Sequence, residues 1–477
     1  METLTKYGQV SIESVEGEPM PIYKIAIPKG VKAPVLTKAD LSASKSIPDA
    51  QARWIKLKEI AKKKGAKSDF AAAQAAGKLL GYGVLSPLID DDNLEEIMVN
   101  GAGENVFVYH RKFGMCKTFI QFVSADGIKR IAKDVCEASG KKDTTITDLA
   151  AVDGSRVNIT DGDIPSRGAV MTIRKQRRKS FSIIELMENG TVSLDLASFL
   201  WLAVEGMNLT PGNILIAGSV GSGKTTMLNA LSSFIPPKER VITIEDTFEL
   251  SLLNIENKVQ LESNKEFDMD ALLRDTLRMR PDRIIVGEIR GKEAMTLFNA
   301  MKIGRIGMGT LHASSSREVA DRLESEPMSV PPHIIGTLDL VLVQNRFVNK
   351  GKIVRRITQV SEVSGETKGT VMMGDIFLWD PTTDDVARVK EGKIEVPILF
   401  LDKLSESTRI DKRDIMKELE MRRMVLYYML KTGIKSLEDV SDLIERFYIE
   451  KEGLFESIPE LGQIKETIEN PQEQLKK

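Results

Sequence analysis

Apolar and polar positions alternate in different rhythms along this chain, and the changes of rhythm mark its parts. Residues 1–50 are broken by Pro19, Pro21, Pro28, Pro34 and Pro48, with one short alternating run at 23–27 that predicts a strand. From about Ala50 to Leu80 the spacing turns helical, with Trp54, Leu57 and Ile60 three apart on one face. Residues 85–180 read as α+β. Strands are predicted at 95–99, at 106–110 and 118–120 around Gly114, at 156–159 after the Asp153-Gly154-Ser155 turn, and at 170–173. A short amphipathic helix is predicted over 128–136. From about Ser180 to Arg346 strand-like and helix-like runs alternate, which predicts a parallel sheet with crossover helices. More strands follow Lys350, including 375–379. Residues 403–450 predict helices, one of them ended by Gly433, and the tail after Pro471 is polar.

The strongest chemical signal lies inside the alternating stretch. Gly218-Ser219-Val220-Gly221-Ser222-Gly223-Lys224-Thr225-Thr226 matches G-x-x-x-x-G-K-[ST] in full. A buried strand is predicted before it (213–217) and a helix after it (226–231), the order such a loop needs. Glycines let the backbone curl so that successive N–H groups face phosphate oxygens, and the helix N-terminus adds partial positive charge. Lys224 is expected to reach the β- and γ-phosphates, and the Thr225 hydroxyl to ligate Mg²⁺. The glycine order is not that of a dinucleotide-binding G-x-G-x-x-G loop.

A phosphate loop also needs an acid at the end of a neighbouring strand to hold the Mg²⁺ shell. The apolar run 284–286 followed by Gly287 and Glu288 supplies one. A second strand, 240–244, runs into Glu245, Asp246 and Glu249. One of these three is expected to polarise the attacking water while the others steady Mg²⁺ through water; the residues alone do not choose among them. A third strand-like run, 306–311, ends in His312, a candidate sensor of the γ-phosphate or link to a next subunit.

Composition narrows the picture. The 477 residues carry 67 Lys and Arg against 69 Asp and Glu, a net charge of −2, which argues against a chain-wide nucleic-acid footprint. Aromatics at 5% argue against a stacking platform for single strands. Two cysteines, Cys116 and Cys136, make neither a disulfide framework nor a CxxC zinc site. No apolar run reaches a membrane span and no signal-peptide core is seen, so a cytoplasmic protein is expected, peripheral at most at the inner face of the cell membrane. Lys56, Lys58, Lys62, Lys63, Lys64 and Lys67 form a basic helix face. That face is either solvated or a contact for an acidic partner or lipid headgroups.

Four runs then agree with one family. GSVGSGKTT, ITIEDTFEL, RMRPDRIIVGEIRG and GMGTLHASSS resemble the Walker A, Asp box, Walker B and His box of type II/type IV secretion ATPases, in order and spacing. NLEEIMVNG and AVDGSRVNIT resemble that superfamily's N-terminal domain. GDIFLWDPTTDD and the helical 403–450 segment are similar to its archaeal branch of archaellum motors and type IV pilus or secretion ATPases. Absence of a paired-CxxC module favours that branch or a tad-like one over bacterial extension ATPases. The resemblance covers about residues 80–450.

The resemblance implies an α/β fold: a RecA-like P-loop domain with a parallel sheet, preceded by a smaller α+β domain. The expected divisions are an N-terminal extension (1–80), an α+β domain and linker (81–180), the ATPase domain (181–400) and a C-terminal helical segment (401–477). It further implies an ATP-hydrolysing homohexamer that drives filament assembly or secretion against a polytopic membrane platform protein. Arg156 in DGSRVN and Arg174 in MTIRK match positions that lend arginines to the nucleotide, whereas Arg177, Arg178 and Lys179 read equally as solvated charges. Arg290 is placed to tie Glu288 to the Asp box. The alternatives are a nucleic-acid translocase of RecA fold and a nucleotide-gated scaffold with little turnover.

Overall fold

The computed structural model describes residues 2–28, 30–47, 50–162, 164–165, 168–175, 180–252, 254–264, 266–349, 352–459 and 461, with the side chains of 50, 51 and 352 excepted. The polar tail expected after Pro471 lies outside these residues. The chain divides into two units, Met1–Arg178 with Val348–Ile353, and Lys179–Phe347 with Val354–Lys477.

The first unit is built on a nine-stranded sheet: β1 (Glu2–Tyr7), β2 (Val10–Ser14), β3 (Ile22–Ile25), β4 (Leu94–Val99), β5 (Asn105–His110), β6 (Gly114–Gln121), β7 (Ile146–Ala150), β8 (Arg156–Thr160) and β9 (Val170–Arg174). Their order is β1-β2-β3-β6-β5-β4-β9-β8-β7, antiparallel except where β3 meets β6. The helices are α1 (Lys38–Lys45), α2 (Ala50–Lys63), α3 (Asp69–Leu79), α4 (Ser86–Asp90) and α5 (Ala125–Ser139). Alternation decides what is buried: Val106 and Val108 of β5 and Val157 and Ile159 of β8 join the core while their neighbours turn outward. Residues of the first eighty, Ile12, Tyr23, Trp54 and Leu57 among them, share that core with the later strands and α5. The helical run after Ala50 breaks at Gly65 into α2 and α3. Its lysines face carboxylates of the same unit: Lys58 lies 2.5 Å from Asp69 and 3.2 Å from Asp90, Lys62 2.8 Å from Asp69, and Lys64 2.6 Å from Asp40. This pairing lowers the charge the basic face presents.

The second unit is a RecA-like α/β domain. Its sheet comprises β10 (Ile214–Ala217), β11 (Val241–Glu245), β12 (Lys258–Glu262), β13 (Arg283–Val286), β14 (Ile306–Leu311), β15 (Leu340–Asn349), β16 (Lys352–Thr367), β17 (Thr370–Asp380) and β18 (Asp385–Arg388). The order is β12-β11-β13-β14-β10-β15-β16-β17-β18, and the first six strands pair in parallel. The helices are α6 (Ile183–Glu188), α7 (Leu194–Glu205), α8 (Lys224–Ser232), α9 (Met269–Thr276), α10 (Glu293–Lys302), α11 (Ser316–Glu324), α12 (Pro332–Ile335), α13 (Leu399–Thr408), α14 (Lys412–Thr432), α15 (Leu437–Ile449) and α16 (Lys451–Ser457). Helices cover both faces of the parallel strands, so those strands are apolar throughout rather than alternating. Ile214 and Ile216 of β10 pack with α7 and α8, and Leu215 and Ala217 with α10 and α11 on the other face. Among the described residues no helix is long and apolar enough to cross a membrane.

The C-terminal helices join the first of these two cores through a buried charge cluster. Arg422 of α14 donates to Glu205 at the end of α7 (2.7 Å) and to Glu418 (2.7 Å), and its guanidinium lies over the Trp201 and Phe447 rings. Arg422 and Glu205 are almost wholly buried, so removing one leaves the other's charge uncompensated. Arg422→Met is expected to lower unfolding stability by about 3–5 kcal/mol in denaturant titration; a loss below about 1 kcal/mol would show the cluster to be solvated.

Candidate functional site

The site begins where β10 ends. Strands β10, β11, β13 and β14 finish within two residues of one another: Ala217 lies opposite Leu311, Val286 opposite Gly309, and Ile244 opposite Val286. The residues after these ends, Gly218, Asp246, Glu288 and His312, therefore gather along one edge of the sheet, where ligands of open α/β sheets bind.

Between Ala217 and α8 the chain makes a tight turn in which the Ser222 N–H donates to the Ser219 carbonyl (3.2 Å). Its third residue, Gly221, has φ +70°, and Gly223, which precedes the helix, has φ +99°, both in the region that favours glycine. At Gly218 the constraint is space: a β-carbon would lie 2.1 Å from the Gln344 carbonyl oxygen and 2.4 Å from Ser222 Oγ. Ser219 and Val220 are exposed at the apex, while Thr225 and Thr226 are half-buried in the first turn of α8. That turn carries N–H groups with no helical acceptor and the positive end of the helix dipole.

Lys224 is buried and folded over its own loop. Its Nζ donates to the carbonyls of Gly218 (3.1 Å) and Ser219 (3.3 Å) and lies 3.2 Å from His312 Nδ1. An ammonium only donates, so His312 Nδ1 accepts and the neutral ring carries its proton on Nε2. Nε2 sits 2.6 Å from Glu288 Oε1, a close polar contact whose geometry falls outside that of a hydrogen bond. Burial and then the Lys224 charge hold His312 below its usual range, against the pull of Glu288. Burial pushes Glu288 upward, but the Arg290 hydrogen bond and the charges of Arg290 and Lys224 outweigh it and keep the carboxylate ionised. Arg290 also lies 3.6 Å from Asp246, which accepts from the Ser263 hydroxyl (2.8 Å). Lys224, His312, Glu288, Arg290 and Asp246 thus form one unbroken chain of contacts.

The three acids at the end of β11 and after it have different surroundings. Glu245 is buried and accepts from the Thr243 hydroxyl (3.0 Å) and from the backbone N–H groups of Glu249 (2.7 Å) and Leu250 (3.0 Å), so its carboxyl fixes the turn that carries the other two. Asp246 and Glu249 are exposed. The arginines expected to serve the nucleotide lie in the first unit. Arg156 and Arg174 are direct cross-strand partners on β8 and β9, with exposed side chains, and Arg156 donates to both oxygens of Asp148 (3.2 and 2.8 Å). Gln176, Arg177, Arg178 and Lys179 lie outside the described residues.

Sequence reading missed the residues behind the loop. Gln344 and Arg346 of β15 and Arg355 of β16 all border its glycines. Arg355 Nε donates to the Gly221 carbonyl (3.0 Å), and a β-carbon at Gly221 would lie 3.0 Å from Arg346 Nη1. No motif announces them; the only hint was an arginine doublet in a strand, whose two members must face opposite ways.

These residues fit a magnesium nucleoside triphosphate. The curl admits no β-carbon at Gly218, a buried ammonium stands at its centre, and Ser222 Oγ and Gln344 Oε1 are buried at its rim with no protein partner. Mg²⁺ takes one or two protein oxygens and fills its shell with phosphate oxygens and water, so the Thr225 hydroxyl and Glu288 suit it.

A family model for "Type II/IV secretion system protein" matches residues 82–382. An uncharacterised protein of Methanocaldococcus jannaschii is 35% identical over 387 residues, 78% of this chain and 68% of that protein. A probable conjugal transfer protein TrbB of Sinorhizobium fredii is 30% identical over 286 residues, 57% of this chain and 85% of its own length. The Legionella pneumophila ATPase DotB superposes with a TM-score of 0.42 at 18% identity, covering 75% of this chain and 92% of that one.

Burial raises the Glu245 carboxyl to about 7, against its three hydrogen-bond donors. The folded form therefore holds this proton more tightly than the unfolded chain. Its stabilising contribution is full below the ordinary value of 4.5 and is lost as pH rises to about 7. Glu245→Gln, which cannot ionise, should remove that slope. Unfolding titrations across this window are expected to show wild type losing stability relative to the variant as pH rises; a constant difference would contradict the assignment.

Proposed function

Since the chain belongs to the type II/IV secretion system protein family, we propose that it hydrolyses Mg-ATP as the motor of a filament-assembly or secretion machine. The observation that carries this reading is the contact chain from Lys224 through His312 to Glu288 at the ends of adjacent parallel strands. In it, Lys224 leaves the carbonyls of Gly218 and Ser219 for the β- and γ-phosphates, while amides from Gly218 to Thr226 surround the phosphate chain. Bound Mg²⁺, held by Thr225 and Glu288, would neutralise phosphate charge. His312, neutral at pH 7 with its proton on Nε2, reports the position of Lys224 to Glu288. Glu245 positions the turn after β11, and Asp246 and Glu249 are the acids assigned to orient water for in-line attack on the γ-phosphorus. Arg156 and Arg174 are assigned to neutralise developing phosphoryl charge within a homohexamer, an effect worth about 10³–10⁵ in rate in related chemistry.

The reading extends to a polytopic membrane platform protein as partner, a cytoplasmic location at the inner face of the membrane, and the archaeal branch of archaellum or type IV pilus motors. Its test is ATP turnover against protein concentration, with mass measured in solution. Turnover rising steeply as a six-subunit species forms is the expected result; equal turnover per chain in a stable monomer would overturn the ring. In the same assay Lys224→Ala should abolish turnover. Glu288→Gln should slow it on the order of a hundredfold while binding is retained. Wild-type rates in both would remove the site assignment.

A further inference from the structure

The phosphate loop has a floor. Strand β15 passes beneath it so closely that the Gln344 carbonyl oxygen would lie 2.1 Å from a β-carbon at Gly218. The Gln344 side-chain amide would lie 2.9 Å from one at Gly223, at the other end of the loop. Between these two points, the Gly221 carbonyl accepts from Arg355 Nε at 3.0 Å, and the Arg355 Cδ would stand 3.3 Å from a Gly223 β-carbon. The neighbouring Arg356 faces the opposite side of the strand, where its Nε and Nη2 donate to Asp384 and its Nη1 donates to the Asn189 carbonyl. Two adjacent arginines thus have separate duties: one joins elements within the domain, and one reaches the loop.

A loop that binds phosphate through N–H groups must turn its carbonyls away, because a carbonyl oxygen facing a phosphate oxygen repels it. Gly221 is where this is hardest to enforce. It lacks a side chain, has left-handed φ, and its carbonyl lies in the tight turn beside the exposed Ser219 and Val220. We propose that Arg355 is a positioning residue for nucleotide binding, holding the Gly221 carbonyl outward so that the loop keeps its amides directed at the phosphates. Its ligand class is that of the loop itself, a nucleoside di- or triphosphate, and the inference rests on the ATPase reading above. Arg355 acts through the loop backbone, and its side chain makes no claim on the reacting atoms.

The test is equilibrium titration of the full chain with a fluorescent ATP analogue and Mg²⁺, on wild type, Lys224→Ala, Arg355→Ala and Arg355→Lys, with thermal melting of each nucleotide-free protein. A hydrogen bond to a charged group contributes enough that Arg355→Ala should weaken binding by about ten- to a hundredfold. Its nucleotide-free melting temperature should stay near that of wild type. Arg355→Lys keeps a cationic donor for the Gly221 carbonyl and should recover most of the affinity. This recovery also decides the case in which Arg355→Ala fails to fold. An unchanged dissociation constant in a folded Arg355→Ala, or an Arg355→Lys no tighter than a folded Arg355→Ala or as weak as Lys224→Ala, would overturn the positioning role alone. No binding by wild type would overturn the ATPase reading itself.

Discussion

A buried ammonium organises this domain. Lys224 is almost wholly withdrawn from solvent at the carboxyl edge of a parallel sheet, and an unpartnered charge there would be expensive. The chain meets that cost with groups it needs for other reasons: the Gly218 and Ser219 carbonyls of a loop forced to curl, and the Nδ1 of a histidine that ends the adjacent strand. The histidine accepts at Nδ1 and brings its Nε2 against Glu288, which Arg290 joins to Asp246. One constraint, the satisfaction of Lys224, thereby fixes the tautomer of His312 and the company of Glu288.

The rest of the second unit reads as what is required to hold that arrangement still. Side chains of alternate residues in β10 enter opposite cores, so the strand that delivers the loop is clamped from both faces. Register among β10, β11, β13 and β14 brings four strand ends within two residues of one another, and with them a glycine, an aspartate, a glutamate and a histidine that are distant in sequence. Glu245 is spent on holding the turn after β11, which leaves Asp246 and Glu249 at the surface. The Arg422–Glu205 pair anchors α14 to α7, one of the helices packed on β10.

Much of this was legible in the sequence because its causes are local. A strand buried on both faces is an apolar run, a phosphate loop needs glycines at fixed offsets, and Glu288 and His312 follow directly on strands; all are visible without knowing what packs on what. Arg290 was expected between Glu288 and the Asp box, and it stands there. The rest depended on tertiary packing. Nothing adjacent in sequence distinguishes the buried Glu245 from Asp246, since only the folded turn supplies the Glu249 and Leu250 N–H donors. Lys58 and Lys62 of α2 and Lys64 just after it read as a basic face because their carboxylate partners, Asp40, Asp69 and Asp90, lie on other elements. Arg355 was invisible for the same reason: its partner is a glycine carbonyl in a loop that precedes it by most of the domain.

The central claim is that Lys224 exchanges its own loop for a nucleotide. A structure of the full chain with Mg²⁺ and a non-hydrolysable ATP analogue tests it directly. The account predicts Lys224 Nζ within hydrogen-bond distance of β- and γ-phosphate oxygens, released from the Gly218 and Ser219 carbonyls, with the Gly221 carbonyl still turned to Arg355. A nucleotide bound elsewhere, or bound while Lys224 keeps its present partners, would contradict it.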